Sequence, residues 1–146
     1  MKLKPIIVLV LLAAIHGIGY AQLPKDPSGL YEFKPAMKDG STVEYELSLN
    51  ENGTYYFGMI HLLPTGKDYQ YNEVGHWELG AKKLISFVPS KEVDATGDPD
   101  LSVTPARLVK KRSSWDPEGK YPYLLKFQRS DSRLVSGLEL FPVKGP

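Results

Sequence analysis

The sequence predicts an all-β fold, a small antiparallel up-and-down β-barrel or strongly curved meander sheet of the lipocalin-like kind, preceded by a cleaved signal peptide. Three observations predict it. No window holds a sustained apolar 3.6-residue period, whereas two-residue alternation recurs along the chain. Short clusters of Asn, Gly, Pro and Ser separate the alternating stretches, so most connections are tight turns. The stretches number about seven or eight, and closing such a sheet hides the edges that a flat one would expose.

The elements follow in chain order. Lys2 and Lys4 give a positive amino terminus, residues 6–15 are unbroken apolar, and Gly19-Tyr20-Ala21 places small residues where a signal peptidase reads. Cleavage after Ala21 would leave Gln22 first. The apolar run is about half the ~20 residues that a membrane span needs, so residues 1–21 read as a signal peptide and the destination as secreted or periplasmic. Residues 22–29, with Pro24, Pro27 and Gly29, form a leader segment before a single barrel domain over 30–143.

Within that domain 30–33 is a short first strand. Val43, Tyr45, Leu47 and Leu49 alternate with Glu44, Glu46, Ser48 and Asn50, which makes 43–49 a half-buried second one. Asn50-Glu51-Asn52-Gly53 suits a type I turn with Gly53 in a left-handed bulge, and 54–62 returns as the third strand. Pro64-Thr65-Gly66-Lys67 turns into a fourth strand over 69–79, and Gly80-Ala81-Lys82 leads into a fifth over 84–88. Strands are expected again over 101–109, where Pro105 confines it to an edge or bulge, over 122–128 and over 134–141. Residues 110–120 form a long polar loop between the first two of these.

Length and composition narrow the function classes. A chain of 146 residues with 42% hydrophobic and 24% charged residues supports one globular domain. It has no cysteine, which removes disulfides, thiolate metal sites, thiol nucleophiles and lipid attachment through sulfur. Losing Lys2 and Lys4 with the leader lowers the 18 basic residues by two against 17 acidic ones. The processed chain is then nearly neutral, with no long-range attraction for nucleic acid or an anionic membrane, and no membrane anchor.

The run Leu47-Ser-Leu-Asn-Glu-Asn-Gly-Thr-Tyr55, with Gly75-His-Trp-Glu-Leu79 and Lys83-Leu-Ile-Ser-Phe87, resembles the meander of small lipocalin-like domains. It is most similar to the amino-terminal barrel of NlpE-type envelope lipoproteins linked to copper homeostasis. The resemblance spans about residues 29–90 and implies a barrel fold and an envelope location. The lipid-bearing Cys and paired cysteines of that type are absent here, so neither anchoring nor thiol-based copper binding carries over.

With Gly53 in a bulge, Leu49 lies opposite Tyr55, Leu47 opposite Phe57, Tyr45 opposite Met59 and Val43 opposite His61. A two-residue Asn52-Gly53 turn would instead flip the third strand. In the bulged register Tyr45, Tyr55, Phe57, His61, Tyr71, Glu73 and Trp77 share the interior and are the candidate ligand-binding residues. Glu73 would orient His61, with tyrosine hydroxyls donating to a ligand. The alternative leaves His61 at a strand end in water and Glu73 in a bulge or facing out. His61 and His76 point to opposite faces in that register, so no two-His metal site and no cofactor is expected. Asp94, Asp98 and Asp100 lack the ligand spacing of a calcium loop and read as a solvated acidic connection. Asn52-Gly53-Thr54 matches a glycosylation acceptor, although the turn alone explains these residues. No serine lies in a nucleophile motif and no phosphate-cradling glycine run is present, so catalysis has only His61 with Glu73 to draw on.

Lys110, Lys111 and Arg112 precede Trp115 in the long loop, with Lys120 and Tyr121 beyond. Cations and aromatics placed together suit a grip on a sugar, a polyanionic envelope polymer or a protein. The bland counterpart folds Trp115 back as a lid over the barrel end. Two functions follow: an exported, non-catalytic binding module whose barrel accepts a small apolar or amphipathic ligand, or an envelope protein-interaction module, inhibitor or stress-sensing adaptor, acting through residues 110–121.

Overall fold

A computed structural model describes residues 22–90, 99–110 and 112–143. The expected signal peptide and its cleavage site, Asp94, Asp98, Lys111 and the tail 144–146 lie outside the described residues. Eight strands form one sheet: β1 (Gly29–Phe33), β2 (Thr42–Leu49), β3 (Thr54–Leu62), β4 (Asp68–Leu79), β5 (Ile85–Pro89), β6 (Ala106–Val109), β7 (Leu124–Phe127) and β8 (Glu139–Pro142). Each pairs antiparallel with the next, and β1 pairs with β8, so the meander closes into a barrel. Among the described residues no helix is long and apolar enough to cross a membrane.

Turn chemistry sets the register. Gly53 N–H donates to the Asn50 carbonyl at 2.9 Å, and Gly53 takes φ 81°, the left-handed conformation of the bulge. Leu49 therefore meets Tyr55, Leu47 meets Phe57, Tyr45 meets Met59 and Val43 meets His61. The β3–β4 turn repeats the device, with Gly66 N–H on the Leu63 carbonyl at 3.0 Å. Because side chains alternate between faces, one register carries Val43, Leu47, Leu49, Tyr55, Phe57 and Met59 inward together, while Tyr69 and Leu79 near the two ends of β4 stay exposed.

Aromatic rings fill the interior. Phe57 of β3 packs edge-on against Phe127 of β7 at 6.3 Å, and Phe127 stacks on Phe87 of β5 at 5.7 Å. Tyr55 meets Phe87 at 5.1 Å. Phe57 and Phe127 are fully buried, so side chains from opposite walls meet across the axis. Gly75 lies between Tyr55 of β3 and Pro89 of β5 in the sheet. A Cβ there would sit 2.1 Å from the Val88 carbonyl oxygen and 2.9 Å from the Tyr55 ring, a space that only glycine leaves free.

The later strands differ from the sequence reading. Expected over 101–109, β6 begins only at Ala106, because Leu101 lies in a turn and is buried in the core. Likewise the stretch expected over 134–141 is a turn up to Leu138, with Val135 driven into the core and only Glu139–Pro142 in the sheet. Asp100 N–H donates to Ser132 Oγ at 3.1 Å, and the Thr104 and Ser130 hydroxyls lie 2.8 Å apart, so these two turns are tied together. Apolar residues that read as strand are here plugs on polar turns. Among the described residues β5 and β6 share one residue pair, Ile85 with Ala106.

Candidate functional site

Among the described residues the interior holds one buried acid. Glu73 on β4 is 6% exposed, and its carboxylate accepts the Tyr55 hydroxyl at 2.5 Å and the Tyr71 hydroxyl at 2.7 Å. The register brings this about: Tyr55 opposes Gly75, Phe57 opposes Glu73 and Met59 opposes Tyr71, so both phenols lean toward the acid from flanking positions. Burial, then the bond to Glu73, pushes the Tyr55 hydroxyl well above the usual tyrosine range. Two phenols and a carboxylate that satisfy one another give a polar tie inside an apolar barrel.

His61 is not part of it. It opposes Tyr69, four positions from Glu73 along β4, or roughly 13 Å at the strand rise. Its ring packs on Tyr69 at 6.3 Å, and its buried Nε2 has no hydrogen-bond partner among the described residues. The expected pairing of Glu73 with His61 is thus replaced by the Tyr55–Glu73–Tyr71 tie. Of the other interior candidates, Phe57 is core. Tyr45 is half-buried beside Phe33 and Phe57, with its hydroxyl directed to the Leu134 carbonyl. Burial raises that hydroxyl's pKa. Trp77 spends its indole N–H on the Asn50 carbonyl at 3.0 Å, tying β4 to the β2–β3 turn. Among the described residues no three His, Cys, Asp or Glu side chains gather as a metal cage. Asp100 uses a carboxylate oxygen on the Ser102 N–H and hydroxyl of its own turn.

A second constellation lies outside the barrel wall. On β8, Leu140 belongs to the interior core, so its neighbour Phe141 faces outward, yet it is only 7% exposed. The β6–β7 loop covers it: Tyr121 packs on Phe141 at 4.7 Å, and Trp115 packs edge-on against Phe33 of β1 at 5.2 Å. The loop therefore lies along β1 and β8 beside the barrel, and Trp115 flanks the wall where the sequence also allowed a lid on its end. Between loop and wall is a hollow of about 620 Å³ lined by Glu32, Phe33, Lys34, Trp115, Lys120, Tyr121, Phe141, Pro142 and Val143. A smaller hollow of about 180 Å³ adjoins it across Tyr121 and Phe141, where Lys110 and Arg112 stand.

The loop's own chemistry shapes this groove. Asp116 is buried, and its carboxylate accepts the backbone N–H groups of Lys120 (2.9 Å) and Tyr121 (3.0 Å). The Tyr121 N–H first, with that of Lys120, holds the Asp116 carboxyl below the usual carboxylate range. The Ser113 hydroxyl donates to Glu139, which also pairs with Lys126 at 2.8 Å, so the loop's start is fastened to β7 and β8. Trp115 nonetheless stays 58% exposed. Of the loop residues singled out in sequence, Trp115 and Tyr121 line the groove, Lys110 and Arg112 its annex, and Lys111 lies outside the described residues. Phe33, Lys34 and Phe141 were missed as groove residues. Phe141 could have been found, since its neighbour Leu140 is also apolar and one of the two must face out.

Comparison of the chain with protein-family models, with curated proteins and with solved structures found no match.

Proposed function

We propose that this protein is a non-catalytic binding module whose ligand sits in the outer groove between the β6–β7 loop and strands β1 and β8. One observation carries the reading: a hollow of about 620 Å³, walled by four aromatic side chains, keeps its tryptophan largely open to solvent. That size falls within the roughly 300–1,000 Å³ of small-ligand sites, and exposed Trp and Tyr are frequent binding anchors. The interior supports a ligand less well, because Phe57 and Phe127 meet across the axis and Glu73 is already matched by two phenols. The module keeps the amphipathic ligand expected of a lipocalin-like barrel but moves it to the loop expected to meet partners. An exported protein in the cell envelope is the setting we propose for it.

Trp115→Ala combined with Tyr121→Ala tests this. The double variant should lose binding to whichever member of a panel of saccharides, amphipathic peptides and lipids the parent retains. Its circular dichroism should stay the same, since Trp115 lies outside the core cluster. Undiminished binding would refute the assignment.

A further inference from the structure

We infer that the groove takes a neutral oligosaccharide, its sugar rings laid along a row of aromatic side chains that runs from Trp115 to Tyr121. The inference rests on the groove being the binding face and adds the chemistry of what fills it. Four rings form the row: Trp115 meets Phe33 at 5.2 Å, Phe33 meets Phe141 at 5.8 Å, and Phe141 meets Tyr121 at 4.7 Å. Phe33 and Phe141 in the middle are largely covered, while Trp115 and Tyr121 at the two ends stay open to solvent. Each end ring is held by its inner neighbour. Two preorganised apolar platforms therefore stand within three ring contacts of each other.

The charges around the row select a neutral occupant. Glu32, Lys34 and Lys120 line the groove, and each is already in an ion pair. Lys34 holds Glu32 at 3.9 Å and Glu44 at 3.6 Å, and Lys120 holds Glu118 at 3.1 Å. The bond to Glu118 keeps the Lys120 ammonium above the usual lysine range. An anionic ligand would compete with three carboxylates for two ammoniums, and a cationic one would meet both ammoniums. A hydrocarbon would take these pairs out of water and return no hydrogen bond. A sugar hydroxyl donates to a carboxylate and accepts from an ammonium, so it joins an ion pair without breaking it. The sugar ring itself has an apolar face to lay on the indole. A peptide fits less well, because nearby main-chain groups are in use: Asp116 takes the N–H groups of Lys120 and Tyr121, and β1 and β8 pair with each other.

The test uses the purified protein and four probes: cellotetraose, maltotetraose, tetragalacturonate and a decamer of proline. Binding is followed by calorimetry and by tryptophan fluorescence. The better of the two neutral saccharides should bind at least about tenfold more tightly than tetragalacturonate, a difference of about 1.4 kcal/mol. Its affinity should change less than about twofold between about 0.02 and 0.5 M salt. Trp115→Ala should weaken it at least about tenfold, and Tyr121→Phe, which keeps the ring, should weaken it less than Tyr121→Ala. Tetragalacturonate binding as tightly as the neutral saccharides, or saccharide binding lost in salt, would overturn the inference. If neither neutral saccharide binds, the inference falls on its own. Should the proline decamer bind instead and depend on Trp115, the groove stands as the binding face and the saccharide falls. Saccharide binding unchanged by Trp115→Ala combined with Tyr121→Ala overturns both.

Discussion

Replacing Tyr55 by Phe deletes one of the two hydroxyls that the Glu73 carboxylate accepts, at a site closed to bulk solvent, with Tyr55 2% and Glu73 6% exposed. A hydrogen bond to a charged group contributes about 1.5–3 kcal/mol, so Tyr55→Phe should cost about 2 kcal/mol. Glu73→Leu strands the buried Tyr55 hydroxyl, at about 1–3 kcal/mol, while half-buried Tyr71 can turn toward water; the total should be about 3 kcal/mol. In the double variant the Phe substitution has no bond to lose and also removes the stranded hydroxyl. The two changes should therefore be sub-additive by at least about 2 kcal/mol, the whole cost of Tyr55→Phe alone. Urea unfolding at neutral pH, followed by tryptophan fluorescence with an unchanged m-value, measures this. Additivity within about 0.3 kcal/mol would mean that the acid and the phenol do not share a bond, and the polar tie would be refuted.

Three further outcomes are expected. Gly75→Ala should destabilise the barrel by about 2–3 kcal/mol or more in a thermal melt, since the nearest clashing atom is the Val88 backbone oxygen, which cannot rotate away. Tyr31 and Tyr55, both 2% exposed, have hydroxyls that burial keeps protonated beyond the usual range. Unfolded tyrosine ionises near pH ~10, so stability should be flat below that and fall above it. The slope is up to about 1.4 kcal/mol per pH unit for each phenol, and urea midpoints between about pH 9 and 11 should be flatter in a double Phe variant. Asp116 titrates below its unfolded value, so its contribution is present above pH ~4 and lost as pH falls through the folded pKa. Asp116→Asn should speed hydrogen exchange at the Lys120 and Tyr121 amides and loosen the groove without changing the barrel.

The first half of the chain was legible because alternation and turn chemistry agree there. Asn50 to Gly53 specified the bulge, the bulge specified the register, and the bounds of β3 followed as Thr54–Leu62. The second half was less so, because Leu101 and Val135 are apolar for a reason other than alternation: each plugs the core from a turn. The interior acid was readable as a residue but not in its partners. Facing parity placed Glu73 inward, whereas the choice of Tyr55 and Tyr71 over His61 depends on distance along the strand. The groove was half readable. Its loop carried a visible mixture of cations and aromatics, but the wall it lies against exists only once β8 returns to β1, a pairing of residues more than a hundred positions apart.

The seams of this tube are unequal. Seven joints carry two or more residue pairs, while β5 meets β6, among the described residues, at Ile85 and Ala106 alone. A closed cylinder relieves stress at its weakest stitch, so the wall should part there before any hairpin unzips. Parting would slide Phe87 off Phe127 and let water reach the interior from the flank instead of the rims. Amides of β6 should then exchange with solvent ahead of those in β3, giving the cylinder a preferred direction of tearing.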